Sequence, residues 1–451
     1  MQLTSAQLNR HRHLLSISVV TSVMAVVTGS VHAGRARKPV AIEADDTADE
    51  DADNNARRRR RATRKAGTGL DVRASTEVSA YTDSDSVRVL SPTIAGSVGD
   101  DVAGWSVGGS YLVDAVSAAS VDIVSTASGH WVERRHAGSA SAEFKAAGAA
   151  VSLAGGFSRE PDYLSIGGGG VVSLELSDKN FMPFVGASYG HDLVGRTGDP
   201  MGTWPSLDKV SVKIGATFVV DRSTIAALSL DGIFERGYLA KPYRYLPVVA
   251  PGAMAMIPAG ASVQLVKSLN EYSVAENVPT RRDRFAIAGR LAHRWEGSTF
   301  RGDQRLYGDS WGSLAATTDL HDYIDVGSRV MVWPHLRGHF QRGVDFWRRV
   351  VEQVPNPGAG PPGIPAYRAG DRELGPLFTL TGGLGIKVRV NSDTRAPWAL
   401  TLQLDGIYTR YLDAVYISQR RAMFGALSFE AGFCRSLPRE AGDPGDGSQS
   451  G

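Results

Sequence analysis

The chain has 451 residues, 51 of them glycine, and a net charge of +2. Charges that nearly cancel provide no basic field for a nucleic-acid partner. One cysteine, Cys434, excludes an internal disulfide framework.

Residues 1–33 have the pattern of a signal peptide: Arg10 and Arg12, an apolar core from Leu14 to Val27, and the small-x-small sequence Val31-His32-Ala33. The other reading is a short helical anchor. After residue 33 no stretch approaches 18 consecutive apolar residues, so helices do not place the chain in a membrane. Residues 34–69 carry an acidic block, Glu43 to Asp53, and a basic one, Arg57 to Arg61 with Arg64 and Lys65. Opposed charge blocks without apolar period predict a disordered periplasmic linker. The Arg run is either solvated or a contact for anionic lipid, and 43–65 could dock a periplasmic partner.

From Leu70 the sequence alternates. In Lys209 to Val220, the residues Val210, Val212, Ile214, Ala216 and Phe218 are apolar, and Lys209, Ser211, Lys213 and Thr217 between them are polar. Leu400, Leu402 and Leu404 stand in the same way against Thr401, Gln403 and Asp405. Period two is the strand signal. About sixteen such segments run from 72–81 to 421–433. They are longer than the about 5–6 residues of soluble strands and suit tilted transmembrane strands. The connections at 99–102, 146, 177–179, 221–222, 296–298, 325–328 and 391–397 are short. The alternate set holds the long ones: 114–132, 193–207, 237–281 and 346–373. This parity predicts an all-β fold: a closed antiparallel transmembrane β-barrel over 70–433 in the outer membrane of a Gram-negative cell, surrounded by lipid. The last strand, Met423 to Phe433, ends in Phe like the signal read by barrel-insertion machinery, and a disordered polar tail, 434–451, is expected after it.

Val113 to Ser128 repeats Val-Asp-x-Val-Ser-x-Ala-Ser twice. An even repeat keeps Asp114 and Asp122 on one face of an extended chain, whereas on a helix the second copy would rotate by about 80°. Lys241-Pro-Tyr-Arg-Tyr-Leu-Pro247, Val278-Pro-Thr-Arg-Arg-Asp-Arg284, Tyr307-Gly-Asp-Ser-Trp-Gly312, Tyr367 and the stretch Pro334 to Trp347 follow in order. With the repeat, these pieces resemble an uncharacterised family of outer-membrane β-barrels. The resemblance covers about residues 70 to 433; it implies fold and compartment, and no activity.

The polar row of each strand should line the lumen. Arg284, Arg290 and Arg294 share one such row, as do Arg301, Asp303 and Arg305; Asp319, His321 and Tyr323; and Trp333, His335, Arg337 and His339. Asp231, Glu235 and Asp405 are expected on the opposite wall. Such walls either select solutes through a transverse field or brace the barrel with ion pairs. His335 and His339, about 13 Å apart along one strand, cannot share a metal. With His321 nearby, two ligands at best are expected, hence no metal site. No nucleophile–base set, cofactor motif or catalytic residue stands out. Gly167 to Gly170 lacks the Lys-Ser/Thr of a phosphate loop and reads as a bend or a close approach.

Two placements suit Val113 to Ser128. It folds into the lumen as a constriction, Asp114 and Asp122 pairing with Arg290, Arg301 or Arg305, or it continues two strands above the membrane. The expected function is a pore for small polar solutes. The alternative is a non-conducting barrel that scaffolds a periplasmic or surface assembly.

Overall fold

A computed structural model of the chain describes residues 69–118, 131–354, 363–391 and 396–436. The expected signal peptide, almost all of the linker, Asp122 and the tail from 437 lie outside the described residues.

Sixteen strands close into an antiparallel barrel. They are β1 (Gly69–Asp83), β2 (Arg88–Asp100), β3 (Trp105–Ala118), β4 (Trp131–Ala146), β5 (Ala149–Glu160), β6 (Tyr163–Leu174), β7 (Phe181–Val194), β8 (Ser206–Val219) and β9 (Thr224–Gly237). After an excursion come β12 (Arg281–Arg294), β13 (Ser298–Asp309), β14 (Leu314–Val326) and β15 (Val330–Arg342), then β17 (Leu377–Arg389), β18 (Trp398–Tyr411) and β19 (Gln419–Ser436). Each pairs with its sequence neighbour, and β1 closes on β19 from Gly69↔Ser436 to Asp83↔Ala422. Closure leaves no unpaired edge, which a bilayer would penalise at every exposed N–H and C=O. The last strand therefore runs through Cys434 to Ser436, three residues beyond the expected start of the tail.

The apolar rows face outward. Ile94 is 60% exposed, Ile166 58% and Phe285 55%. In water such a surface would be a large aggregation liability; around a closed barrel it is the lipid-facing belt. At the short-turn end the belt carries aromatic pairs on its outer face: Phe181–Phe218 with centroids 5.2 Å apart, Trp295–Phe300 at 6.5 Å and Trp398–Phe429 at 5.9 Å. Aromatic rings suit the headgroup level. The tightest turn there, Ala147-Gly148, has φ of 49° and 81°; positive φ at both central residues matches the strand twist.

Two of the long connections carry secondary structure of their own in their described residues. β10 (Tyr245–Val249) pairs antiparallel with β11 (Asn270–Ala275) and parallel with β16 (Val351–Glu352), tying the β9–β12 connection to the β15–β17 connection. Helix α1 (Val263–Leu269) is capped by Ser262, which accepts from the Leu265 N–H. Val249, Ile257, Val266 and Val350 form a core beneath it. Val278, Trp311, Val344, Trp347 and Ala369 form a second. This folded cap stands at the long-loop end.

Candidate functional site

The inward rows of β8 to β18 form one charged wall. On β12 the outward residues are Phe285, Ile287 and Leu291, so Arg282, Arg284, Arg290 and Arg294 point inward. Each meets a carboxylate, the first three on a neighbouring strand and Arg294 across β13 on β14. Arg282 Nε donates to Asp309 at 2.9 Å, Arg284 pairs with Glu235, Arg290 with Asp303, and Arg294 Nη2 with Asp325 at 2.6 Å. Asp303 also takes Arg301 Nε at 2.7 Å, so one carboxylate holds two guanidiniums. Arg305 reaches past the alanines of β12 to Asp231 on β9, 3.0 Å away, and Lys213 approaches Asp231 from the other side at 3.6 Å.

These pairs correct the expected geometry. Asp231 and Glu235 lie on β9, the neighbour of β12, and not across the lumen. Asp405 lies on β18, two strands from His335. Opposite the charged wall, half the strand order away, β2 to β5 turn inward small residues such as Ser97, Ser110, Ser139 and Gly156. At mid-height the charged rows therefore face small residues, while the charges of these strands, Asp114 with Arg135, Glu143 and Glu160, stand toward the strand ends. The glycine run Gly167 to Gly170 is part of β6, and a Cβ on Gly169 would overlap Ser188 of β7, which identifies a close approach within the wall.

The described part of the repeat's first copy is wall as well. Val113 to Ala118 continue the β3–β4 ladder, with Asp114 directly opposite Arg135. Arg135 Nη2 lies 2.7 Å from Asp114 Oδ2, and both side chains are buried. Asp114 thus meets a cation one strand away and not Arg290, Arg301 or Arg305, whose charges are matched by Asp303 and Asp231. Val113 to Ala118, the described residues of the repeat, take the second of its two expected placements. Close by, carboxylate oxygens of Glu133, Glu160 and Asp162 gather within 4.8 Å of one another, each group also engaged elsewhere.

At the centre of the charged wall stands a cluster that sequence reading placed only in part. The ladders align Arg301↔His321↔His335 and Asp303↔Asp319↔Arg337. Asp319 Oδ1 lies 3.2 Å from His321 Nε2 and 3.1 Å from His335 Nε2, and the two imidazoles stack with centroids 4.3 Å apart and planes at 16°. His335 Nδ1 is 3.3 Å from Asp405 Oδ1. That contact spans β17 because the residue between them in register is Gly383, where a Cβ would overlap the Asp405 carboxylate. Gly385 likewise leaves room for the Trp333 indole. His339 stands apart, with Nδ1 2.8 Å from Thr317 Oγ1.

The cap and its base collect several of the pieces that carried the family resemblance, among them Lys241 to Pro247 and Tyr367. Lys241 Nζ pairs with Asp371, Arg244 Nη2 lies 3.4 Å from Asp371 Oδ1, and the Lys241 backbone N–H donates to Glu276 at 3.1 Å. Burial pulls the Lys241 ammonium below its ordinary 10.5 and pushes the Glu276 carboxyl above 4.5, outweighing the attraction of Arg244. Burial would raise Asp371 too, but Arg244 and Lys241 hold it well below 3.8. The Arg282 guanidinium sits 4.3 Å over the Trp311 ring, whose Nε1 donates to the Arg281 carbonyl at 2.8 Å. Arg372 on the cap reaches Asp85 in the β1–β2 turn at 2.9 Å, anchoring the cap to the barrel seam.

No curated protein sequence matches the chain. Among solved structures it is similar to the siderophore receptor PirA from Pseudomonas aeruginosa, at 13% identity over 79% of this chain and 61% of that one, with a TM-score of 0.37. The chain thus spans about three fifths of that receptor's length. It is also similar to a bacterial polysaccharide outer membrane secretin, at 8% identity over 82% and 98% of the two chains (TM-score 0.40), and to OccK5 (OpdH) from Pseudomonas aeruginosa, at 8% over 81% and 98% (TM-score 0.35). A family model matches residues 74–403, most of the barrel with its cap, and by that match the chain belongs to the family described as protein of unknown function, DUF3570.

Proposed function

We propose that this protein is an outer-membrane conduit for small polar solutes, with selection at the Arg–Asp lattice of β9 to β14. The observation that carries the reading is the division of faces. Outward rows are apolar, while inward rows set Arg284, Arg290, Arg301 and Arg305 against Glu235, Asp303 and Asp231. A barrel held together by its ladders alone has no need of so many lumenal charges. Each must be matched at the cost of ordering a long side chain. Rings and walls of charge sort solutes by their field. In this reading the narrowing is the work of the lattice, since the described part of the repeat, Val113 to Ala118, is itself wall. The role is passage and not catalysis, and lipid is the environment of the belt.

Purified protein in a planar bilayer should give stable ohmic steps. Silence at high protein load would overturn the conduit and favour a barrel that scaffolds an assembly, with residues 43–65 as the arm toward a periplasmic partner.

A further inference from the structure

We propose that Asp319, His321 and His335 form a binding site for a divalent transition-metal ion of the Zn2+ type on the lumen wall, with Asp405 as the outer carboxylate that orients His335. The proposal rests on the conduit reading in one respect only: the ion reaches the site from the lumen.

The geometry starts from register. Asp319 and His321 are two apart on β14 and so share the inward face, and His335 on β15 is the ladder partner of His321. One carboxylate and two imidazoles therefore converge without help from a loop. Asp319 Oδ1 is 3.2 Å from one Nε2 and 3.1 Å from the other, and the three ligand atoms lie within 4.8 Å of one another. Bonds of about 2.0–2.2 Å in a tetrahedral site put neighbouring ligand atoms about 3.3 Å apart. Two edges of that tetrahedron already exist.

The surroundings fit the same chemistry. A metal-bound imidazole is usually held through its second nitrogen by a carboxylate, which fixes tautomer and ring orientation. Asp405 stands in that place at His335 Nδ1, is itself held by Gln403 Nε2 at 2.8 Å, and reaches His335 only because Gly383 has no side chain. His321 supplies an independent sign. Both of its ring nitrogens are buried, and among the described residues neither makes a hydrogen bond of acceptable geometry. Nε2, turned toward Asp319 and bound to no donor or acceptor of the described residues in hydrogen-bonding geometry, is open to a ligand. The nearby cations do not forbid a dication. Arg301, opposite His321, is bound to Asp303, and the two carboxylates Asp319 and Asp405 offset Arg337, the ladder partner of Asp319.

Two nitrogens and one oxygen favour Zn2+ and its first-row relatives over Ca2+ or Mg2+, which take oxygen shells. Three protein ligands leave a position open for water or for a donor atom of a passing solute.

The test uses the full chain without a polyhistidine tag, folded in detergent, titrated with Zn2+ by calorimetry and with Co2+ by visible absorption. One site per chain is expected, with the intense visible bands of tetrahedral Co2+. His321→Ala and Asp319→Asn should abolish it. Asp405→Asn should weaken it by about 10- to 100-fold. His339→Gln should leave it unchanged. Heat-modifiable migration on gels establishes that each variant is folded. A wild-type barrel that takes up neither ion stoichiometrically overturns the site, as do folded His321→Ala and Asp319→Asn variants that bind like the parent. Binding is read in detergent without conductance. A silent bilayer therefore strikes the conduit alone, and a conducting barrel that ignores both ions strikes the metal site alone.

Discussion

Arg135 Nη2 lies 2.7 Å from Asp114 Oδ2 across the β3–β4 ladder, and each side chain is 3% exposed. A buried pair of this kind is costly to break from one side, because the remaining charge keeps its desolvation penalty while losing its closest counter-charge. Asp114→Asn should destabilise the barrel by about 3 kcal/mol, read as a lower urea midpoint in detergent. Asp114→Asn combined with Arg135→Gln should recover part of the loss, since the double variant buries neither charge. Equal losses in the single and double variants would sink the pairing as the cause.

The strands and their faces were legible because lipid outside and water inside impose opposite chemistry on alternate residues. Val210, Val212 and Ile214 could only face out, and Arg290, Arg301 and Arg305 only in. Partners were not legible. Parity fixes the face of a strand, whereas the choice of counter-ion depends on register and on gaps. Asp405 meets His335 over Gly383, and Arg305 meets Asp231 past alanines. The cap was missed for a different reason. Its core residues Val249, Ile257, Val266 and Val350 come from short strands, a seven-residue helix and turns, none long enough to show a period.

The cap should open without the barrel. Trp311 contributes a buried indole to the cap core and a face for Arg282. Trp311→Ala should cost about 3–5 kcal/mol locally. Limited proteolysis should then cut within 238–280 or 343–376, while heat-modifiable migration of the barrel persists. Simultaneous loss of barrel and cap would show one cooperative unit.

Cap stability should rise on mild acidification. Glu276 has a folded pKa above its ordinary 4.5, so its contribution is complete below 4.5 and is lost as pH rises through the higher folded value. Asp371 has the opposite sign: its folded pKa lies below 3.8, and its contribution is present above 3.8 and lost as pH falls further. The cap should therefore be firmer near pH 4.5 than at neutrality, and weaken again in strong acid. Tryptophan fluorescence from Trp311 and Trp347 during urea titration reads this directly. Glu276→Gln should remove the gain between neutrality and pH 4.5; a variant that keeps it would assign the effect to another group.

Gly383 predicts a substitution that acts through Asp405. An added methyl would occupy the space of the Asp405 carboxylate, which can turn to another rotamer, and would also press on the Leu404 carbonyl oxygen 2.7 Å away, so the β17–β18 ladder must give slightly. Gly383→Ala should leave the barrel folded and weaken Zn2+ binding by about tenfold, the scale of a lost outer carboxylate. Calorimetry on the folded variant checks it, and undiminished affinity would remove Asp405 from the account.

Asp303 is the point at which the lattice is most open to a single change. Its carboxylate holds both Arg290 and Arg301, and at mid-height β2 to β5 across the lumen present small residues such as Ser110 and Ser139, their charges lying toward the strand ends. Asp303→Asn preserves shape and hydrogen-bonding reach but removes the charge, leaving two guanidiniums to set the local field. If the barrel conducts, its reversal potential in a salt gradient should move toward anion selectivity. The shift should shrink as ionic strength rises, because the Debye length falls from about 10 Å at 0.1 M to about 3 Å at 1 M. Asp71→Asn is the matched control: Asp71 also pairs with an arginine, Arg73, but at the short-turn end of the barrel seam, away from the lattice. A variant at Asp303 that shifts selectivity no further than the Asp71 control would show that solutes pass without sensing the Arg–Asp lattice.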